Sequence, residues 1–252
     1  MKKERQKIKH CLVYALTVIL FLFGITVDGI SEKPFSRKHQ RVVVIDPGHG
    51  GNEHGSRSAD DVLEKAVSLN LARLIADKLK GDCKVMLTRT DDYWLDIPKR
   101  TALANYQQAD LFISLHSGGS FVHSAGGTVI FYYEKHPEPD LVKETPTLDS
   151  LSVDDAPLMS WNDIQERYLT SSRKLAEIMQ AQIIKITQDP DSSIKSAPLS
   201  VLQGADMPAI LIELGYLTNP NEGKALSNPE YLALIAEAIS KGVKSYLSNK
   251  GQ

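Results

Sequence analysis

Two histidines and a glutamate stand where short apolar runs of this chain end. Val42-Val43-Val44-Ile45 leads into Asp46-Pro47-Gly48-His49-Gly50-Gly51. Leu111-Phe112-Ile113-Ser114-Leu115 ends at His116, and Ala209-Ile210-Leu211-Ile212 ends at Glu213. Imidazole and carboxylate groups can hold a divalent metal with one position left for water, and a spare carboxylate nearby can move that water's proton. If the three runs are neighbouring parallel strands, their carboxyl ends share one edge of a sheet and the three residues converge there. Such a rim suits a metal-dependent hydrolase.

A catalytic zinc site takes three protein ligands. His49 and His116 offer two, and Glu64 is the best candidate for the third. It opens the helix after the His49 loop, and that helix end faces the rim on which the preceding strand stops. Two neutral imidazoles and one carboxylate leave the metal strongly Lewis acidic. Glu213 then remains for general-base work. Taken singly, each residue has a plainer role. A His after a strand commonly hydrogen-bonds its loop, Glu64 could answer the helix macrodipole, and Glu213 could cap a neighbouring helix. Packing alone does not predict three apolar runs ending in such residues. No HExxH spacing is present, which excludes the thermolysin-like motif.

The elements that must position these residues are legible as alternating strand and helix. Short apolar runs read as strands buried on both faces of a parallel sheet. Leu63 to Lys80 has helical apolar spacing and is closed by Gly81, Lys84 to Thr88 reads as a strand, and Asp96 to Tyr106 as a helix with Pro98 in its first turn. Thr128 to Tyr133 is a further strand, Trp161 to Ile186 a long helix, Leu199 to Leu202 a short strand and Met207 to Glu213 the third buried one. Asn228-Pro229 opens a last helix that runs to about Leu247. The expected fold is α/β, a single three-layer domain over 41–250 with a mostly parallel twisted sheet and helices on both faces. Residues 134–160, rich in Pro, Asp and Glu, read as a mobile acidic insert.

Composition bounds the rest. The chain has 252 residues, 42% hydrophobic and 24% charged, so it can bury a full core. A formal charge of −2 gives no electrostatic case for nucleic acid. Lys2, Lys3, Arg5, Lys7 and Lys9 precede a charge-free stretch from Cys11 to Val27. That layout reads residues 1–30 as a signal peptide or N-terminal membrane anchor, with 31–40 as a linker. The domain is then expected in the periplasm or cell envelope, touching the membrane only through an uncleaved leader. Cys83 is the one cysteine beyond that leader, which leaves no disulfide within the domain and suggests a structural thiol.

The ordered motifs resemble a known family. Val44-Ile45-Asp46-Pro47-Gly48-His49-Gly50-Gly51, Glu64-Lys65, Leu87-Thr88-Arg89 with Asp92, Arg100 to Asn105, Ala109 to His116 and Pro208 to Asn219 are similar to the zinc-dependent N-acetylmuramoyl-L-alanine amidases of the cell-division and sporulation type. The resemblance implies a zinc-exopeptidase-like fold and one Zn2+ per chain held by His49, Glu64 and His116. It implies Glu213 as the catalytic carboxylate and peptidoglycan as substrate, cut between N-acetylmuramic acid and L-alanine. It assigns no substrate-binding residue. In cell-division relatives an insert near this position blocks the zinc until an activator removes it; Glu144, Asp154 or Asp155 could serve here.

Two departures stand out. Ser117-Gly118-Gly119-Ser120 replaces the usual Ala-Asn after the second His, and Gln203 stands where an Arg is expected. Arg89 and Arg100 are expected to organise Asp92 and the rim, Trp161 and Tyr168 to join the core, and His54, His123 and His136 to face solvent. The competing readings are a zinc carboxypeptidase on stem peptides, which would want an Arg clamp, and a non-catalytic peptidoglycan-binding regulator on an amidase scaffold.

Overall fold

The computed structural model describes residues 40–122, 124–135, 161–188 and 190–249. The leader, most of the acidic insert with its three candidate carboxylates, His123 and His136 lie outside these residues. In chain order the elements are β1 (Val42–Pro47), α1 (Glu64–Lys78), β2 (Lys84–Leu87), α2 (Ile97–Tyr106), β3 (Leu111–Gly118) and β4 (Val129–Tyr133). A 3-10 helix (Trp161–Tyr168) then leads into α3 (Leu169–Thr187), β5 (Ser193–Ala197), β6 (Ala209–Tyr216), α4 (Pro220–Leu226) and α5 (Pro229–Asn249).

The six strands form one sheet in the order β2-β1-β3-β6-β4-β5. Thus β1, β3 and β6, the strands that carry the motifs, are adjacent and parallel, and their carboxyl ends share an edge as expected. Within the sheet of the described residues only the β4–β6 pairing is antiparallel. Helices cover both faces, though unequally. Val43 and Ile45 of β1, Ile113 and Leu115 of β3 and Ile210 and Ile212 of β6 point into the larger core with α1, α3 and α5. The alternate residues Val42, Val44, Phe112, Ala209 and Leu211 pack on the other face under α2 and the segment around Leu202. Period-two alternation therefore sends apolar side chains both ways, which is why these strands read as unbroken apolar runs.

Several expectations are corrected. Leu199 to Leu202 is not a strand; it enters the turns around 200–204, and its buried Leu202 plugs the smaller core. The strand in this region is β5, a polar edge strand with alternation too weak to read. The long helix expected from Trp161 begins as a 3-10 helix and becomes α-helical at Leu169. Helix α4 was not anticipated, although Asn219 caps it by accepting from Asn221 N and Glu222 N and Pro220 opens it. Cys83, expected to be half-buried, is buried in the larger core.

Beneath the rim lies a buried ionic network. Asp46, fully enclosed at the end of β1, accepts from Arg100 Nη1 at 2.7 Å and Thr88 Oγ1 at 2.5 Å through one oxygen, and from Ser114 Oγ at 2.8 Å through the other. Arg100 continues to the carbonyls of Pro47 at 3.0 Å and His49 at 3.1 Å. Arg89 donates to Pro47 O at 3.0 Å and Gly48 O at 2.7 Å. The two arginines therefore hold three successive carbonyls of the His49 loop. Asp92 is instead held by Lys65, at 2.8 Å, with no hydrogen bond from either arginine. Removing one member strands a buried charge. Arg100→Ala should cost about 3–5 kcal/mol of unfolding free energy in a urea titration, and a cost below about 1 kcal/mol would refute this account of the network.

Candidate metal centre

The His49 loop leaves β1 and returns to the start of α1 through backbone bonds. Glu64 N donates to Ser56 O at 2.9 Å and Lys65 N to His54 O at 3.2 Å, so the loop satisfies donors that the helix leaves unpaired. That arrangement turns the first side chain of α1, Glu64, toward the rim. Its Oε1 lies 2.9 Å from both His49 Nε2 and His116 Nδ1. Ser117 N also donates to Oε1 at 3.0 Å, and Ser56 N donates to Oε2 at 2.7 Å. One ligand atom from each of His49, Glu64 and His116 lies within 4.8 Å of the others.

Backbone constraints fix this convergence. His49 is held at φ 60°, a left-handed conformation uncommon for a residue with a side chain, and the arginines bonded to the loop stabilise it there. The rings of His49 and His116 meet edge to face with centroids 4.9 Å apart. A Cβ on Gly48 would stand 2.6 Å from His116 Nε2, so only glycine lets the loop lie this close to the second ring.

Glu213 sits beside the cluster. It is the register partner of His116 across β3 and β6, which places both side chains on the same face of neighbouring strands. Its Oε2 is buried and accepts no hydrogen bond among the described residues. Burial, reinforced by the charge of Glu64 and opposed by both histidines, pushes its carboxyl up to about 7. Glu64 goes the other way. Burial alone would raise it, but hydrogen bonds and charge from His116 and His49 hold it well below the ordinary carboxylate range. Burial would in turn lower His116, yet Glu64 leaves it raised.

All four residues singled out in the sequence thus gather on one rim. Two imidazoles and a carboxylate match the ligand preferences of Zn2+, and the donor set carries one negative charge. His54 is exposed, as expected, and Tyr168 is only half buried, bonding Asp206 through its hydroxyl at 3.1 Å. Sequence reasoning missed the amides of Ser56 and Ser117 on Glu64 and the role of Asp46. The signal for Asp46 was present, an aspartate closing a run of buried strand residues.

The model of the family described as N-acetylmuramoyl-L-alanine amidase matches residues 43–245. The chain belongs to this amidase family. It is 30% identical over 222 residues to the N-acetylmuramoyl-L-alanine amidase AmiC of Neisseria meningitidis serogroup B, covering 82% of this chain and 53% of that protein. The chain therefore spans about half the length of that relative. It is 31% identical over 207 residues to the uncharacterized protein YqiI of Bacillus subtilis, covering 82% of this chain and 84% of that one. Among solved structures, the N-acetylmuramoyl-L-alanine amidase from Clostridium difficile 630 superposes with a TM-score of 0.68 at 32% identity, covering 84% and 99% of the two chains.

The environment of Glu213 makes this amidase-family domain pH-sensitive. Between about 4.5 and about 7 the folded, metal-free protein keeps a proton on Glu213 that the unfolded chain has released. Stability therefore falls as pH rises through that window. Glu213→Gln should stabilise the metal-free protein by about 1–3 kcal/mol at pH 8 and by nothing below pH 4.5. Urea unfolding at the two pH values reads the difference, and an equal effect at both would refute it.

Proposed function

We propose that this protein hydrolyses the amide between N-acetylmuramic acid and L-alanine in peptidoglycan, using one zinc ion held by His49, Glu64 and His116. The observation that carries the reading is the placement of Glu213 next to His116 in register, beside a three-residue donor set of the right chemistry. Family membership supports the choice of bond.

A zinc ion there would supply Lewis acidity to the scissile carbonyl and lower the pKa of water toward about 7. Glu213 accepts the proton of the attacking water and returns it to the departing nitrogen of L-alanine. Its carboxylate suits that task because no donor among the described residues ties up Oε2. Glu64, held by two backbone amides, keeps its charge and its orientation. No protein nucleophile is required.

Peptidoglycan lies outside the cytoplasmic membrane. The basic-then-apolar segment at 1–30 supports export to the cell envelope, as a cleaved signal or as an anchor. Among the described residues no helix is long and apolar enough to cross a membrane.

The deciding assay is release of new L-alanine amino termini from purified cell wall. A chelator should abolish release and added Zn2+ restore it. Glu213→Gln should lower kcat by about 10²–10⁴-fold while the protein still binds one zinc per chain. Persistence of activity in Glu213→Gln would overturn the general-base assignment. Release of D-amino acids from stem peptides instead would move the protein to the carboxypeptidase reading, and binding without release would make it a regulator.

A further inference from the structure

An open cleft of about 400 Å3, lined by Asn52, Glu53 and Trp94, adjoins the candidate metal centre. Glu53 links the two, since its Oε2 lies 3.6 Å from Nδ1 of His49. Trp94 is 56% exposed, and Tyr93 and Ile97 beside it in sequence are 44% and 45% exposed. So much apolar surface left in water on one short segment marks a binding face more often than a packing accident.

Nor is the segment loose. Gly51 N donates to Asp92 Oδ1 at 2.8 Å, and Lys65 Nζ reaches both Asp92 Oδ2 at 2.8 Å and Gly51 O at 2.7 Å. Arg89 donates to Asp91 O at 3.2 Å and Arg100 to Leu95 O at 3.1 Å. The two loops touch through their backbones. A Cβ on Gly50 would run into the Tyr93 carbonyl, and one on Gly51, at φ +59°, would stand 2.9 Å from Trp94 N. The groups that fix the His49 loop therefore also fix the backbone that carries Trp94.

The occupant follows from the chemistry of the cleft. A flat indole face suits the C–H face of a pyranose ring. The Asn52 amide both donates and accepts, and Glu53 accepts, which matches a rim of hydroxyl and N-acetyl groups. The acidic stem peptide fits less well, because Glu53 repels its carboxylates. We propose that Trp94, with Asn52 and Glu53, forms a saccharide subsite that receives an N-acetylhexosamine ring of the glycan strand bearing the scissile amide. This deepens the amidase reading and rests on it. Contacts made there, away from the bond being cut, position the substrate, and a pre-set aromatic ring costs little ordering entropy on binding.

The chain has two tryptophans, Trp94 and Trp161. In full-length Trp161→Phe protein, titration with peptide-free glycan strands of alternating N-acetylglucosamine and N-acetylmuramic acid should change the Trp94 emission saturably. If that variant does not fold, the difference between wild-type and Trp94→Ala titrations reads the same signal. Asn52→Ala and Glu53→Gln should weaken the titration. On intact peptidoglycan, Trp94→Ala should raise KM about tenfold, with Trp94→Phe restoring most of the loss. An emission unmoved by glycan, a response to free stem peptide alone, or an unchanged KM in Trp94→Ala would overturn the subsite. The two readings fail separately: glycan-responsive emission without L-alanine release keeps the subsite and removes the amidase, and release with an unresponsive indole does the reverse.

Discussion

Asp46 takes a charge out of water entirely, and the fold accommodates it only because Arg100, Thr88 and Ser114 meet both of its oxygens. Each partner comes from a different part of the sheet or its covering layer, so the pairing ties β1, the end of β2, β3 and α2 together at one point. A buried ion pair adds little net stability, because desolvation offsets much of the attraction. Its value here is geometric. The guanidinium that satisfies Asp46 also donates to the Pro47 and His49 carbonyls, while its Nε holds Leu95 O. Placement of the first imidazole and neutralisation of the buried charge are therefore one constraint.

Above that network the protein holds two carboxylates in opposite conditions. Glu64 is surrounded by donors, two imidazoles and two backbone amides, which secure its charge. Glu213 is buried with one oxygen that accepts no hydrogen bond among the described residues. The same residue type is thus held charged in one place and pushed toward its neutral form in the other, a division made by surroundings. An acceptor left unsatisfied costs stability, and the larger core under α1, α3 and α5 sustains that loss.

Much of this was legible in the sequence because it was written in residues that act locally. Apolar runs buried on both faces announce parallel strands, and a metal-capable residue at each run's end announces the rim. Glu64 was harder, since its role depends on a loop that returns to the start of α1 through backbone bonds no side-chain pattern encodes. Leu199 to Leu202 misled for a physical reason: apolar residues also serve to plug a core from a turn, and periodicity over so short a span does not separate the two. Strand β5 escaped because an edge strand needs little apolar alternation. The arginine network was visible only as residue types, as their partners are backbone carbonyls, which every sequence possesses.

The sheet order also has a consequence for how the molecule comes into being. Strand β6 is the last to be synthesised, yet it lies between β3 and β4, in the interior of the sheet. Without it, β3 and β4 would each lack one neighbour, and β4-β5 would not be joined to β2-β1-β3. Such long-range pairing slows folding, because distant segments must meet before the contacts that reward them can form. Strand β6 is thus the piece that joins β2-β1-β3 to β4-β5 in one sheet. That strand also carries Glu213, the register partner of His116. Closure of the sheet and the placement of Glu213 beside His116 therefore depend on the same strand.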